Sequence, residues 1–242
     1  MWHAAMWGGI SGSAVLIGAL AAMFIPIREK IIGYVMAFGT GVLIGAAAYE
    51  LLGDSLNSGG VIPTSIGFVT GALLFTFFNY IVSQKGAAER KRSEQKAAIN
   101  GGIAIFIGTI MDAIPESIMI GASLLEGQSV SFLLVIAIFI SNMPEGLSST
   151  AGMKDNGYSK RKILILWIAV LAISTFASWS GYFFLDGASE AVMASIAAFA
   201  GGGIIAMVAS TMMPEAYDDS GSTTGLITSL GLLVSLLLNN FS

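Results

Sequence analysis

The sequence is expected to fold as an all-α membrane protein, with eight transmembrane helices arranged as a 3+2+3 inverted-repeat bundle. Three observations lead there. Of 242 residues, 55% are hydrophobic and 11% charged, with a mean hydropathy of +0.81, whereas a soluble domain carries roughly a quarter charged residues. Apolar runs of bilayer-spanning length, about 20 residues each, recur along the whole chain. All eleven Lys and Arg fall in loops that lie on one membrane face once those runs are counted as spans.

Runs between polar breaks give the spans as 6–25, 31–53, 62–83, 100–125, 129–152, 163–185, 188–215 and 223–241. "GISGSAVLIGALAAMF" near the start lacks a basic flank and is followed by apolar segments throughout, so it reads as the first span and not as a signal peptide. The breaks are short. The longest, "SQKGAAERKRSEQKAAIN" (83–100), is charged and too short to be a domain, so residues 1–242 are expected to form a single transmembrane domain. Basic residues occur only after spans 1, 3 and 5: Arg28 and Lys30; Lys85, Arg90, Lys91, Arg92 and Lys96; Lys154, Lys160, Arg161 and Lys162. By the positive-inside rule that face is cytoplasmic. Both termini are then extracytoplasmic, as expected for an integral protein of the plasma (inner) membrane. The opposite loops carry Asp54, Glu126, Asp186 and Glu190 and no base.

An internal repeat supports the count. "AFGTGVLIGAAAYELLGD" (37–54) aligns without a gap on "AFAGGGIIAMVASTMMPE" (198–215), matching Ala37 to Ala198, Phe38 to Phe199, Gly41 to Gly202, Ala48 to Ala209 and Asp54 to Glu215. Small-residue helices can look alike by chance. The alternative is an inverted repeat, because span 2 runs outward and span 7 inward, which puts equivalent residues at mirrored depths. Repeat 1 (6–83) and repeat 2 (163–241) would then flank a central pair (100–152). The Gly/Ala/Ser density of spans 2 and 7 would let backbones approach closely.

Composition also limits the chemistry. There is no cysteine, so neither a disulfide nor a thiolate site can form. The only histidine is His3, which excludes an HExxH zinc site and a Ser-His-Asp triad away from the terminus. What remains is carboxylate. Three of the five prolines precede a glutamate, in "MDAIPES", "SNMPEGL" and "TMMPEAY". Proline displaces the carbonyl four residues back, here Met111, Ile140 and Ser210, about one turn from each glutamate. Asp112 and Glu116 are i, i+4, and Asn142 and Ser141 are i+3 and i+4 from Glu145, so each set shares a helix face.

An intramembrane carboxylate faces the bundle interior and serves a function by default. With no Lys, Arg or interior His to neutralise them, three such carboxylates at one depth call for a divalent cation. The bland reading is a protonated, hydrogen-bonded acid beside an architectural kink. Glu50 and Asp54 would line the outer approach to such a site. Glu215, Asp218 and Asp219 would line the inner exit, or be merely solvated at the membrane edge.

These residues resemble the ZIP (Zrt/Irt-like) metal-ion transporters over most of the chain. The family's fourth span carries His-Asn-x-Pro-Glu-Gly and its fifth a related Pro-Glu string; here these are "DAIPES" (112–117) and "SNMPEG" (141–146). "GTGVLIGAAAYELL" is similar to the family's second span. The resemblance implies a divalent ion as transported substrate (Zn, Mn, Fe or Cd), bound between spans 4 and 5 and moved toward the cytoplasm by alternating access. It implies no organic cofactor and no enzymatic role. It leaves room for a homodimer. The partners expected are the lipid bilayer and the cation, and no nucleic acid.

The chain departs from the family pattern at several positions. Asp112 stands where the family has His, Ala113 where it has Asn and Ser141 where it has His or Gln. Thr211 stands at the bridging glutamate, while Glu116, Asn142 and Glu145 are retained. One site is therefore expected from Asp112, Glu116, Asn142 and Glu145, completed by Ser141 or water, with Thr211 the weakest ligand. An all-oxygen set favours harder ions such as Mn²⁺ or Fe²⁺, though carboxylates also bind Zn²⁺. The altered ligands keep other readings open: a carrier of another cation or small solute, or a transport-inactive scaffold. An intramembrane aspartyl protease would need Asp54 and Asp112 to face each other.

Overall fold

The computed structural model describes residues 2–25, 27–82, 101–127 and 130–240; the basic loop 83–100 lies outside them. Among the described residues every regular element is helical. Helix α1 spans Trp2–Phe24 and α2 spans Glu29–Ala46, continuing through a π-helical turn (Ala47–Gly53) into α3 (Asp54–Ser58). Then follow α4 (Val61–Val82), α5 (Gly101–Gly127), α6 (Phe132–Asp155), α7 (Lys160–Leu185) and α8 (Glu190–Met207). A second π-helical turn (Val208–Met212) joins α8 to α9 (Met213–Ser220), and a short 3₁₀ turn leads to α10 (Thr224–Asn239). Helices α6, α7 and α8 each begin at a serine, Ser131, Ser159 and Ser189, whose hydroxyl accepts the N–H of Leu134, Lys162 and Val192. Such caps satisfy donors that a helix start leaves open.

Among the described residues seven helical stretches are long and apolar enough to cross a bilayer, the last running from Glu190 to Asn239. That last stretch reverses at Gly221, whose φ of 68° suits glycine. Its two parts lie oppositely against α2: Leu51 sits by Gly201 and Gly59 by Ala194, whereas Gly33 meets Asp219, Gly41 meets Thr228 and Gly45 meets Ser235. Helix α8 is thus antiparallel to α2 and α10 parallel to it. The expected eighth span corresponds to α10. Its 16 residues reach about 24 Å at 1.5 Å per residue, short of the ~30 Å hydrocarbon core.

Large apolar side chains occupy both the core, as at Leu43, Ile120, Leu134 and Trp167, and the surface. Ile62, Ile66, Val69, Leu73 and Phe77 of α4, and Leu226, Leu230, Leu233 and Leu237 of α10, form exposed stripes at helical spacing. Small and polar residues also fill the interior, among them Ser11, Thr40, Ser149, Ser174 and Ser178. Backbone-to-backbone packing at glycine holds the centre. A β-carbon at Gly18 would strike the Met143 carbonyl and one at Gly146 the Val15 carbonyl, which locks α1 on α6. Gly181 meets the Ile118 carbonyl and Gly121 the Ser178 carbonyl, which locks α7 on α5. Gly41 meets Thr228 and Gly231 meets Phe38 between α2 and α10; Gly202 meets Phe68 and Gly71 meets Phe199 between α8 and α4.

The prolines do not all act as expected. Pro115 and Pro144 lie inside continuous α-helix. Only Pro214 follows a widened turn. The matching turn at 47–53 contains no proline, so proline is not what widens it. The two turns begin at Ala47 and Val208, 161 residues apart.

Overpacking of this kind typically costs 1–3 kcal/mol. Gly146→Ala should therefore lower the thermal midpoint of the detergent-solubilised protein by several degrees. Gly225→Ala, where nothing lies within 4 Å, should leave it unchanged or raise it.

Candidate functional site

Helix α6 carries a continuous polar face. Ser141, Asn142, Glu145, Ser148 and Ser149 are all buried, and i, i+3 and i+4 spacing puts them on adjoining lines of one side. Successive turns meet polar partners from different helices. At the start, Ser131 borders the acidic cavity beside Glu50 of the first π turn while capping Leu134 N–H at 3.1 Å. Midway, Thr109 of α5 donates to Glu145 Oε1 at 3.1 Å. One turn further, Ser148 donates to Glu215 Oε1 of α9. Ser141 Oγ turns back to the Ile138 carbonyl at 3.1 Å.

Helix α5 supplies Asp112 and Glu116, 6% and 1% exposed. Both border a cavity of about 270 Å³ closed by Gly71, Phe75 and Phe78 of α4 and by Phe199, Gly203 and Met207 of α8. Glu145 does not border it; its Oε1 is held at Thr109, on the same α5 face as Asp112 and Glu116. Among the described residues no three acidic or histidine side chains form a metal-holding cluster. Asp112, Glu116 and Glu145 were expected to converge; Glu145 meets, at Thr109, the α5 face that carries both acids, and Asp112 and Glu116 also border the α4/α8 cavity. Burying these carboxylates is expensive, so α5 must remain enclosed on both sides.

The two ends of the bundle carry opposite charge. One opens into a cavity of about 1110 Å³ bordered by Glu50, Asp54, Asp186 and Glu190, with Asn57, Ser123 and Ser131 among its polar walls. At the other end Lys154 Nζ donates to the Ala22 carbonyl at 3.1 Å and Lys160 Nζ lies 4.9 Å from the Phe24 ring centre, bringing two of the basic loops together. Asp54 and Asp112 border different cavities, so the pair a protease would need does not form.

The remaining expected residues take distinct places. Thr211 is half-buried and donates to the Met207 carbonyl at 2.7 Å, along its own helix. Glu215 is half-buried and tied to α6 at Ser148, which corrects the reading that it is merely solvated; Asp218 is exposed and Asp219 half-buried beside Gly33. Sequence reasoning missed Thr109 and Ser148. Their signal was spacing: Thr109 lies three residues before Asp112 and seven before Glu116, and Ser148 three after Glu145. It also missed Thr40, fully buried, whose hydroxyl has no hydrogen-bond partner among the described residues.

The family model of the ZIP zinc transporters matches residues 82–239. A protein of Arabidopsis thaliana named "Putative zinc transporter" is 25% identical over 213 residues, a stretch covering 86% of this chain and 33% of that one. The chain thus spans about a third of that relative's length.

Because the native chain has no cysteine, introduced thiols report access directly. Asn57→Cys, at the acidic cavity, should react readily with a charged maleimide. Ser141→Cys, inside the bundle, should react roughly ten-fold slower or less, since thiol reactivity needs exposure.

Proposed function

The chain belongs to the ZIP zinc transporter family, and on that premise we propose that it carries a divalent cation across the membrane toward the cytoplasm. The observation that carries this reading is the polar face of α6, which runs from the acidic cavity past Glu145 to Glu215. The ion would enter at Glu50 and Asp54 and be held midway by Asp112, Glu116, Asn142 and Glu145, with Ser141 or water. It would leave past Glu215, Asp218 and Asp219, with Thr211 a minor ligand. A change in how α5 sits against α6 would open or close this set of oxygens, which fits alternating access between two bundle states.

The acidic end would face outward and the basic end the cytoplasm. The repeats 6–83 and 163–241 would flank the central pair 100–152; the common offset of 161 between the π turns and between the aligned segments supports this. An all-oxygen ligand set suits Mn²⁺ and Fe²⁺ as well as Zn²⁺ and Cd²⁺. The plasma (inner) membrane is the proposed location, and a homodimer is compatible with the exposed stripes of α4 and α10.

Thr109 has a role in this scheme. Thr64, Thr70, Thr76, Thr175 and Thr211 donate to the carbonyl one turn back in their own helix, whereas Thr109 donates across the helix interface to Glu145. It would orient the Glu145 carboxylate toward the ion by fixing Oε1.

Uptake into proteoliposomes should be saturable for at least one of Zn²⁺, Mn²⁺, Fe²⁺ or Cd²⁺, and Glu116→Ala or Glu145→Ala should lower it about ten-fold or more. Unchanged uptake in both variants would remove this site; no divalent uptake at all would favour another solute or a transport-inactive scaffold. Thr109→Val should raise the half-saturating concentration about ten-fold with little change in maximal rate, because hydrogen bonds to charged groups are worth ~1.5–3 kcal/mol. Thr109→Ser should restore it. In right-side-out vesicles Asn57→Cys should be labelled by an impermeant maleimide, and Arg161→Cys only after permeabilisation.

A further inference from the structure

The glycine contacts of the bundle come in exchanged pairs. Gly18 on Met143 is matched by Gly181 on Ile118, and Gly146 on Val15 by Gly121 on Ser178. The first helices of the two halves, α1 and α7, thus correspond at an offset of 163, and the central helices α5 and α6 correspond at an offset of 25. Gly41 on Thr228 is matched by Gly202 on Phe68, and Gly231 on Phe38 by Gly71 on Phe199. Here α2 and α8 correspond at 161, the offset separating the two π turns. These rules assign a counterpart to every residue of the core helices. Ser148 of α6 corresponds to Ser123 of α5, and Glu215 of α9 corresponds to Asp54 of α3.

The two pairs have the same chemistry, a serine on a central helix and a carboxylate just beyond a π turn, at opposite ends of the bundle. Their states differ. At the basic end Ser148 donates to Glu215 and joins α6 to α9. At the acidic end Asp54 is exposed, and both Asp54 and Ser123 border the 1110 Å³ cavity. The Ser123 hydroxyl is spent on its own helix, donating to the Ile120 carbonyl at 2.9 Å and accepting Ser131 N–H at 3.2 Å.

We propose that Ser148–Glu215 and Ser123–Asp54 are the two reciprocal gates of the molecule, one latched while the other is open. The structure is the state open at the acidic end. In the opposite state Ser123 rotates from Ile120 to donate to Asp54, the cavity closes, and Ser148 releases Glu215. Equal chemistry at the two gates has a physical consequence. An alternating carrier needs two states of similar free energy, and exchanging one serine–carboxylate hydrogen bond for its counterpart keeps the count of such bonds constant. The proposal rests on the transport reading for its purpose, but its test reads conformation alone.

The test uses the full chain in lipid vesicles, with Asn57→Cys as the reporter of the acidic cavity in a chain that keeps all four gate residues. A charged maleimide should label it readily. Ser148→Ala, which releases the basic-end latch, should slow that labelling several-fold, and Ser148→Thr, which keeps the hydroxyl, should leave it fast. Ser123→Ala, which removes the acidic-end latch, should cancel the effect of Ser148→Ala. Size-exclusion elution matching the unmodified chain verifies folding of each variant. Labelling unchanged by Ser148→Ala in a folded variant, equal slowing by Ser148→Thr, or slowing that persists when Ser123→Ala is added would each overturn the proposal. None of these outcomes depends on ion movement, so a failure of the gates and a failure of the transport assignment are read separately.

Discussion

Carboxylates inside a hydrocarbon slab impose the constraint on which this architecture depends. Asp112, Glu116 and Glu145 are nearly devoid of solvent exposure, and a charge at that depth is expensive unless protein surrounds it. A lone helix cannot provide that enclosure. The bundle provides it by bringing neighbouring backbones close, at Gly18 and Gly146 for α1 on α6 and at Gly121 and Gly181 for α7 on α5. Leucine-sized residues at those positions would hold the helices apart and open a path for lipid. Large apolar side chains also cover the outside, where α4 and α10 carry exposed stripes of them. Abundant interior glycine and an apolar surface are thus two results of one requirement.

The same requirement explains why polar chemistry concentrates on α6. An interior carboxylate needs donors, and in a chain with no interior Lys, Arg or His the available donors are hydroxyls, amides and main-chain N–H groups. Helix α6 lies among α1, α2 and α5, so a hydroxyl or carboxylate on its face can meet a different helix at each turn. Glu145 reaches Thr109 and Ser148 reaches Glu215, while Ser131 borders the cavity of Glu50. These groups are spread along the bundle axis, which under the proposed function would give a cation a ladder of oxygen atoms in place of a single deep trap. A ladder suits passage, because binding at each level must be strong enough to replace water and weak enough to release.

Much of this was legible in the sequence, and what was not has physical reasons. The helical runs, the charge asymmetry of the ends and the buried pairs Asp112/Glu116 and Asn142/Glu145 follow from composition and spacing, which the bilayer makes unusually informative. The π turns were not legible: proline was the available signal, and it marks only the one at 208–212, while 47–53 widens without it. Thr109 was passed over because a helical threonine ordinarily bonds its own backbone, as Thr211 does here. Whether it reaches across an interface depends on which helix packs beside it. Of the two readings of Glu215, inner exit or solvated edge, its bond to Ser148 of α6 argues against the second. Convergence of the three carboxylates was expected from shared helix faces and matched depth, and how α5 is turned about its axis against α6 sets the distances between them.

That rotational freedom bears on how an ion could be held and released by so few residues. Asp112 and Glu116 face the cavity shared with α4 and α8, and Glu145 is held at Thr109. A rotation or tilt of α5 relative to α6 would change the distances between these oxygens. The glycine contacts of α5 are with α7 and those of α6 include α1 and α2. Glycine contacts also join the two repeats directly, α1 to α7 at Gly8 and Gly12, α2 to α10 at Gly41 and α4 to α8 at Gly202, so a moving group would combine helices of both repeats. Thr109 and Glu145 link α5 to α6 through side chains, and a link of that kind would let the two central helices shift against each other while the surrounding bundle keeps the carboxylates from lipid.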